Sequence, residues 1–144
     1  MVVYLPTGLS EDDEQRWVER MQQRLEQSRA RRTLNSDEAL QRRAEELNQE
    51  YFGDELKVEN IRFVTNQNHR FGSCTPSTHT IRISHRLAEM PTWVLDYVVV
   101  HELAHLLQPN HSARFWKLVN RYKLTERARG FLMAKGMEED EADL

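Results

Sequence analysis

Residues 93–111 read WVLDYVVVHELAHLLQPNH, and this stretch decides how the chain folds. The three consecutive valines favour a strand, but the length of the run and the four-residue spacing of its first two histidines favour a helix. A helix that is apolar on most of its faces is buried, and buried polar groups need a partner. An internal ligand is therefore the favoured explanation for His101, Glu102 and His105.

The spacing of the first two histidines predicts a metal site. Residues four apart on a helix share one face and lie about one turn from each other. The imidazoles of His101 and His105 can therefore both reach one tetrahedral zinc ion, and Glu102 beside them is placed to accept a proton from the attacking water. The pattern is typical of zinc hydrolases that cut peptide bonds, and we expect one Zn²⁺ per chain.

A third histidine follows beyond a proline. In a continued helix, His111 would lie about 15 Å along the axis from His101 and on another face. Pro109 disfavours helical geometry at the residue before it, so the helix should end near Leu107 or Gln108. The chain can then turn and bring His111 back to the metal.

Length and composition predict one globular domain over residues 1–144. Charged residues make up 30% and hydrophobic residues 39%, and the net charge of −3 gives no general attraction to nucleic acid. Cys74 is the single cysteine, which excludes an intramolecular disulfide and is typical of a reducing compartment. The first residues, MVVYLPTGLSEDDE, lack the pattern of a signal peptide, and no apolar run is long enough to span a bilayer. We therefore expect a cytoplasmic protein without a membrane partner.

Helical periodicity predicts two amphipathic helices at the beginning of the chain. The first should cover residues 10–30 and the second residues 35–53, where a glycine ends it. We assign residues 1–34 to an N-terminal helical extension and residues 35–123 to the core. The acidic segment 138–144 should be a frayed tail.

Alternating apolar residues predict a small antiparallel sheet of about three strands between these helices and the metal helix. The candidate strands lie within 56–63, 71–74 and 80–84. The metal helix should begin with Thr92 as its N-cap, and Ser112 should cap a C-terminal helix. The expected fold class is α+β, and strand 80–84 is a candidate edge to which an extended peptide could add.

The chain resembles the YgjP-type zinc metallopeptidases, which are relatives of the SprT-like proteases. Two blocks carry the resemblance: RFGSC at 70–74, and the segment 98–116 with VVVHELAH, PNHS and FW. The likeness covers roughly residues 35–123, and family members commonly carry tryptophan where this chain has Phe71. The resemblance implies a compact zincin-like fold. It also implies zinc ligands and a general base, namely His101, His105 and His111 as ligands and Glu102 as the base.

The resemblance leaves the third ligand and the oxyanion donor open. Zincin-type relatives often use a downstream glutamate as third ligand, so Glu126 is the alternative to His111. Metzincins carry a glycine three residues after the second histidine, where this chain has Gln108. The developing oxyanion needs a further donor, and Arg70 and Tyr122 are candidates by residue type.

Three hypotheses of function follow from these residues. The first is a zinc-dependent peptidase acting on a peptide or protein substrate, which Glu102 favours because a structural metal site needs no base. The second is a non-catalytic binding module stabilised by zinc. The third is a nucleic-acid-associated SprT-like protease, which clustered arginines in the N-terminal half favour and the net acidity opposes. The sequence does not indicate the oligomeric state.

Overall fold

The computed structural model describes residues 11–67 and 69–139, without the side chains of residues 11 and 26–36. These residues form an α+β fold, as predicted. Its elements, in chain order, are α1 (Glu11–Phe52), β1 (Asn60–Val64), β2 (Gly72–Thr75), β3 (Thr80–Ser84), α2 (Thr92–His105), α3 (Ala113–Val119) and α4 (Thr125–Ala134). Short 3-10 helices lie at Pro76–Thr78 and His85–Glu89. None of the helices within the described ranges has the length and apolarity to cross a membrane.

Helix α1 is one continuous helix, so the predicted break near residue 35 is wrong. The segment RRTLNS at 31–36 contains no glycine or proline. Threonine, asparagine and serine lower helix propensity by only a few tenths of a kcal/mol each and do not end a helix by themselves. The chain nevertheless divides into two compact units at this place, Met1–Asn35 and Ser36–Leu144.

The sheet has three strands in the order β1-β3-β2 and is mixed. Strand β2 pairs antiparallel with β3, and β1 pairs parallel with β3. The prediction of a purely antiparallel sheet is therefore wrong for β1, because side-chain alternation indicates which face is buried and carries no information about strand direction. The hypothesis that residues 80–84 form an open edge is also wrong, since β3 is the central strand and both its edges are paired.

Helix α2 is the buried centre of the second unit. It packs against β2, β3, α3 and α4, and all residues from 97 to 105 are buried. It begins at Thr92 after Pro91, whose fixed φ suits a helix start. The predicted cap by the Thr92 side chain does not form. The helix ends at His105, slightly before the predicted end at Leu107 or Gln108. In the turn that follows, the Gln108 N–H donates to the Ala104 carbonyl oxygen at 2.9 Å, so the chain leaves the helix ahead of Pro109, as expected.

Two local sets of hydrogen bonds fix the chain after α2, one at the start of α3 and one near residue 138. The hydroxyl of Ser112 accepts the Phe115 N–H at 3.3 Å and caps α3, as predicted. Near the end of the described chain, Glu138 donates its N–H to the His69 carbonyl oxygen at 2.6 Å, and Phe71 donates to Glu138 at 3.2 Å. The predicted frayed segment is therefore held at its first residue, while residues 140–144 lie outside the described part.

Candidate metal centre

Three histidine side chains converge at the C-terminal end of α2. Their potential ligand atoms all lie within 4.8 Å of one another. The ring centroids are 5.0 Å apart for His101 and His105, 5.3 Å for His101 and His111, and 4.9 Å for His105 and His111. The turn at Pro109 thus brings the third histidine back beside the two on the helix.

Aromatic residues of α3 hold two of these rings in place. Phe115 stacks on His105 with centroids 4.3 Å apart and planes inclined by 19°. Trp116 stacks on His111 at 5.9 Å and 30°. Since Ser112 caps α3 directly after His111, the helix start, the two aromatic rings and the third histidine are positioned together.

The two histidines of α2 have defined partners at Nδ1. The Nδ1–H of His105 donates to the Gln108 carbonyl oxygen at 3.0 Å, because a carbonyl can only accept. The Nδ1 atom of His101 lies 3.2 Å from the Tyr97 hydroxyl, and the Phe71 ring packs edge-on against His101 at 5.0 Å. A ring that donates from Nδ1 ligates a metal through Nε2, and such partners orient the ring.

Glu102 is fully buried beside the histidine cluster. Its Oε1 atom lies 3.9 Å from Nε2 of His101, and both side chains are 0% exposed. A carboxylate at this distance is within reach of a water molecule that shares the site with the histidines. The Glu102 carboxylate therefore lies next to the three histidines.

The donor set fits a divalent transition metal. Imidazole nitrogens bind zinc at about 2.0–2.1 Å in a tetrahedral arrangement, so three such ligands lie about 3.3 Å apart. The potential ligand atoms are up to 4.8 Å apart. Side-chain shifts of about 1 Å would bring them to the separation that zinc requires. Three imidazoles also leave a fourth position for water or substrate, so the site suits chemistry as well as binding.

Comparison with known proteins agrees with this geometry. The sequence profile described as "YgjP-like, metallopeptidase domain" matches residues 55–125. This segment is similar to YgjP-like metallopeptidase domains. Its boundaries enclose the sheet, α2 and α3, and therefore all three clustered histidines and Glu102. The predicted resemblance is confirmed, and no curated protein matches the chain closely enough to be called a relative.

Two solved structures share the fold of about two thirds of this chain. One is the metallopeptidase zymogen abylysin from Pyrococcus abyssi, with 20% identity and a TM-score of 0.57 over 67% of this chain and 93% of that chain. The other is the metallopeptidase zymogen jannalysin from Methanocaldococcus jannaschii, with 19% identity and a TM-score of 0.55 over 67% and 95%. At this level of identity the likeness shows the fold alone.

The two candidate oxyanion donors lie in different places in the YgjP-like domain. Tyr122 donates its hydroxyl to the Trp93 carbonyl oxygen at 2.7 Å, and burial raises the pKa of Tyr122 to about 12. Trp93 lies eight residues before His101, about 12 Å along the helix, so Tyr122 is not brought to the histidines. Arg70 directly precedes Phe71, which contacts His101, and its backbone bridges to Glu138.

The alternative third ligand is not part of the cluster. Glu126, in the first turn of α4, has a side chain that is 83% exposed, and its carboxylate lies 3.5 Å from the Arg129 guanidinium. Among the described residues, the set that could hold a metal comprises His101, His105 and His111. The geometry thus favours His111 over Glu126.

Tyr97 is the site residue that the sequence analysis missed. It lies four residues before His101, the same spacing as between His101 and His105, so it shares their helix face. The neighbouring Asp96, an acidic residue that could have oriented a ligand, instead makes two hydrogen bonds with Arg43, at 2.9 and 2.7 Å.

Loss of the Tyr97 hydroxyl is expected to weaken metal binding. Tyr97→Phe keeps the buried ring but removes the partner of His101 Nδ1, and loss of such a partner typically lowers metal affinity about 10–100-fold. Competition with a chromophoric chelator measures the zinc affinity. Tyr122→Phe is the matched control, because its hydroxyl binds a backbone carbonyl far from the histidines. Equal affinities in the two variants would contradict the role assigned to Tyr97.

Proposed function

We propose that this protein is a zinc-dependent peptidase in which Glu102 acts as the general base. The observation that carries the proposal is the placement of the buried Glu102 carboxylate 3.9 Å from His101 Nε2, beside a cluster of three imidazoles. A metal that only stabilised the fold would need no base beside its ligands. The proposal therefore goes beyond metal binding to hydrolysis.

The three histidines would hold the ion as neutral ligands and so leave its charge undiminished. When bound, zinc supplies two effects, lowering the pKa of a coordinated water toward about 7 and polarising the scissile carbonyl. His101 and His105 contribute ring orientations set by Tyr97 and Gln108. The site is thereby organised before substrate arrives, which is what electrostatic catalysis requires.

Glu102 would move the proton during the reaction. Its carboxylate accepts a proton from the attacking water and passes it to the leaving amine, a role that typically contributes about 10²–10⁴-fold to the rate. Of the two candidate oxyanion donors, Arg70 is the one retained, because its neighbour Phe71 packs against His101. Tyr122 has its hydroxyl at the other end of α2.

The sheet supports binding of an extended peptide. Strand β2 is an edge strand, and its first residue, Gly72, lies against Glu102. A peptide that added to this edge would run past the proposed base and gain main-chain hydrogen bonds with little side-chain selectivity. We therefore propose peptides or unfolded protein segments as the substrate class, with β2 taking the place first assigned to residues 80–84.

Removal and restoration of the metal test this function. Purified protein is expected to contain about one zinc per chain, to lose hydrolysis of a varied set of unstructured peptides on chelation, and to regain it on zinc addition. Mass spectrometry measures cleavage of the peptides, and elemental analysis measures the zinc content of the protein. A protein that carries its full zinc and leaves every peptide intact would contradict the proposal.

A further inference from the structure

Gly72, the glycine of the RFGSC block, lies in a narrow space between a strand and the metal helix. A Cβ atom added at this position would meet the Arg82 carbonyl oxygen at 3.0 Å, the Cγ of Glu102 at 3.2 Å and the Oε1 of Glu102 at 3.3 Å. Each distance is shorter than an ordinary van der Waals contact to carbon. Gly72 does not adopt a positive φ, so the space around it, and not its backbone conformation, requires glycine.

The two walls of this space differ in how far they can yield. Arg82 belongs to β3, the central strand, and the register pairs Gly72 with the adjacent Ile83. Its carbonyl is thus part of a strand paired on both sides. Glu102 presents a side chain with rotatable bonds. A methyl group at position 72 would therefore be relieved mainly by displacement of the Glu102 side chain.

We propose that Gly72 is a positioning residue for Glu102: the absence of a side chain at this point in β2 allows the Glu102 carboxylate to lie at the histidine cluster. The affected oxygen is Oε1, the atom that lies 3.9 Å from His101 Nε2. For its catalytic consequence the inference rests on the proposed function. The steric contact itself does not, and this separates the two in experiment.

The first test compares two glycine-to-alanine variants. The contacts require the Glu102 side chain to shift by a few tenths of an ångström. Since a shift of about 1 Å costs about 10²-fold, Gly72→Ala is expected to lower kcat by about 3–10-fold, with KM and zinc content nearly unchanged. Gly130→Ala in α4 is the matched control, since a Cβ there meets nothing within 4 Å. It should keep wild-type kcat. Gly72→Ala with wild-type kcat would overturn the proposal.

The second test is a stability cycle that needs no activity. Urea unfolding is measured for wild type, Gly72→Ala, Glu102→Ala and the double variant. Glu102→Ala removes both Glu102 atoms that approach position 72. The factor by which Gly72→Ala lowers the folding equilibrium constant should therefore be at least about fivefold smaller in the Glu102→Ala background than in the wild type. An additive cycle would show that the strain lies at the Arg82 carbonyl and would overturn the proposal.

The outcomes also separate this inference from the proposed function. If the two substitutions are coupled in the stability cycle but the protein cleaves no peptide, the contact between Gly72 and Glu102 is supported and the proposed peptidase function is refuted. If Gly72→Ala alone does not fold, the double variant decides, because recovery of folded protein supports the contact with Glu102. Failure of both, with Glu102→Ala itself folded, would overturn it.

Discussion

Glu102→Gln is expected to abolish peptide hydrolysis while the protein keeps its metal. The amide is nearly the same size as the carboxylate, so the buried position beside His101 can accommodate it. It cannot accept the proton of the attacking water, which removes a contribution of about 10²–10⁴ in kcat. The three imidazoles that would hold the ion are unchanged, and zinc content should stay at the wild-type level.

A steady-state assay together with elemental analysis measures both effects on the same samples. Glu126→Gln is the matched control, because it makes the same chemical change at a carboxylate that is 83% exposed and outside the cluster. It should retain activity. If Glu102→Gln hydrolyses peptides at the wild-type rate, the base must be another group. If it loses zinc as well, the inactivity reports metal loss and the assignment of the base fails.

Among single substitutions of residues outside α2, His111→Ala is expected to lower the metal affinity most. Its removal leaves two imidazoles of the three that converge within 4.8 Å. The loss of a direct ligand should exceed the effect of losing an orienting partner, which reaches about 100-fold. We therefore expect zinc affinity to fall by more than about 100-fold, with hydrolysis lost at ordinary zinc concentrations.

Glu126→Ala distinguishes the two candidates for third ligand. The two variants are compared by chelator competition at one pH, since metal binding competes with protonation of the imidazoles. The structure favours unchanged affinity in Glu126→Ala, because its side chain points to solvent near Arg129. Tight zinc in His111→Ala combined with weak zinc in Glu126→Ala would reverse the assignment.

The metal cluster was predictable because its information is local. The spacing of His101 and His105 places them on one helix face, and Pro109 ends that helix by a steric effect on its own neighbours. The apolar run before them indicates burial. Each inference uses residues within about three helical turns, a range over which backbone geometry follows from sequence.

The remaining features depend on residues far apart in the chain. The Phe71 ring meets His101 across thirty positions, and Gly72 meets Glu102 in the same way. The direction of β1 relative to β3 follows from the path of the chain between them, which alternation does not record. Even Tyr97, whose spacing was available, is recognisable as a partner only when the His101 ring orientation is known.

Taken by itself, the sequence determined the buried helix, its two histidines and glutamate, the return of His111 and the α+β class, because helical periodicity, proline sterics and burial act over short stretches. Tertiary structure alone decided the mixed sheet, the exclusion of Glu126 from the cluster and the space that Gly72 leaves for Glu102. These depend on packing between segments, where a few tenths of an ångström at one contact outweigh any preference within a single segment.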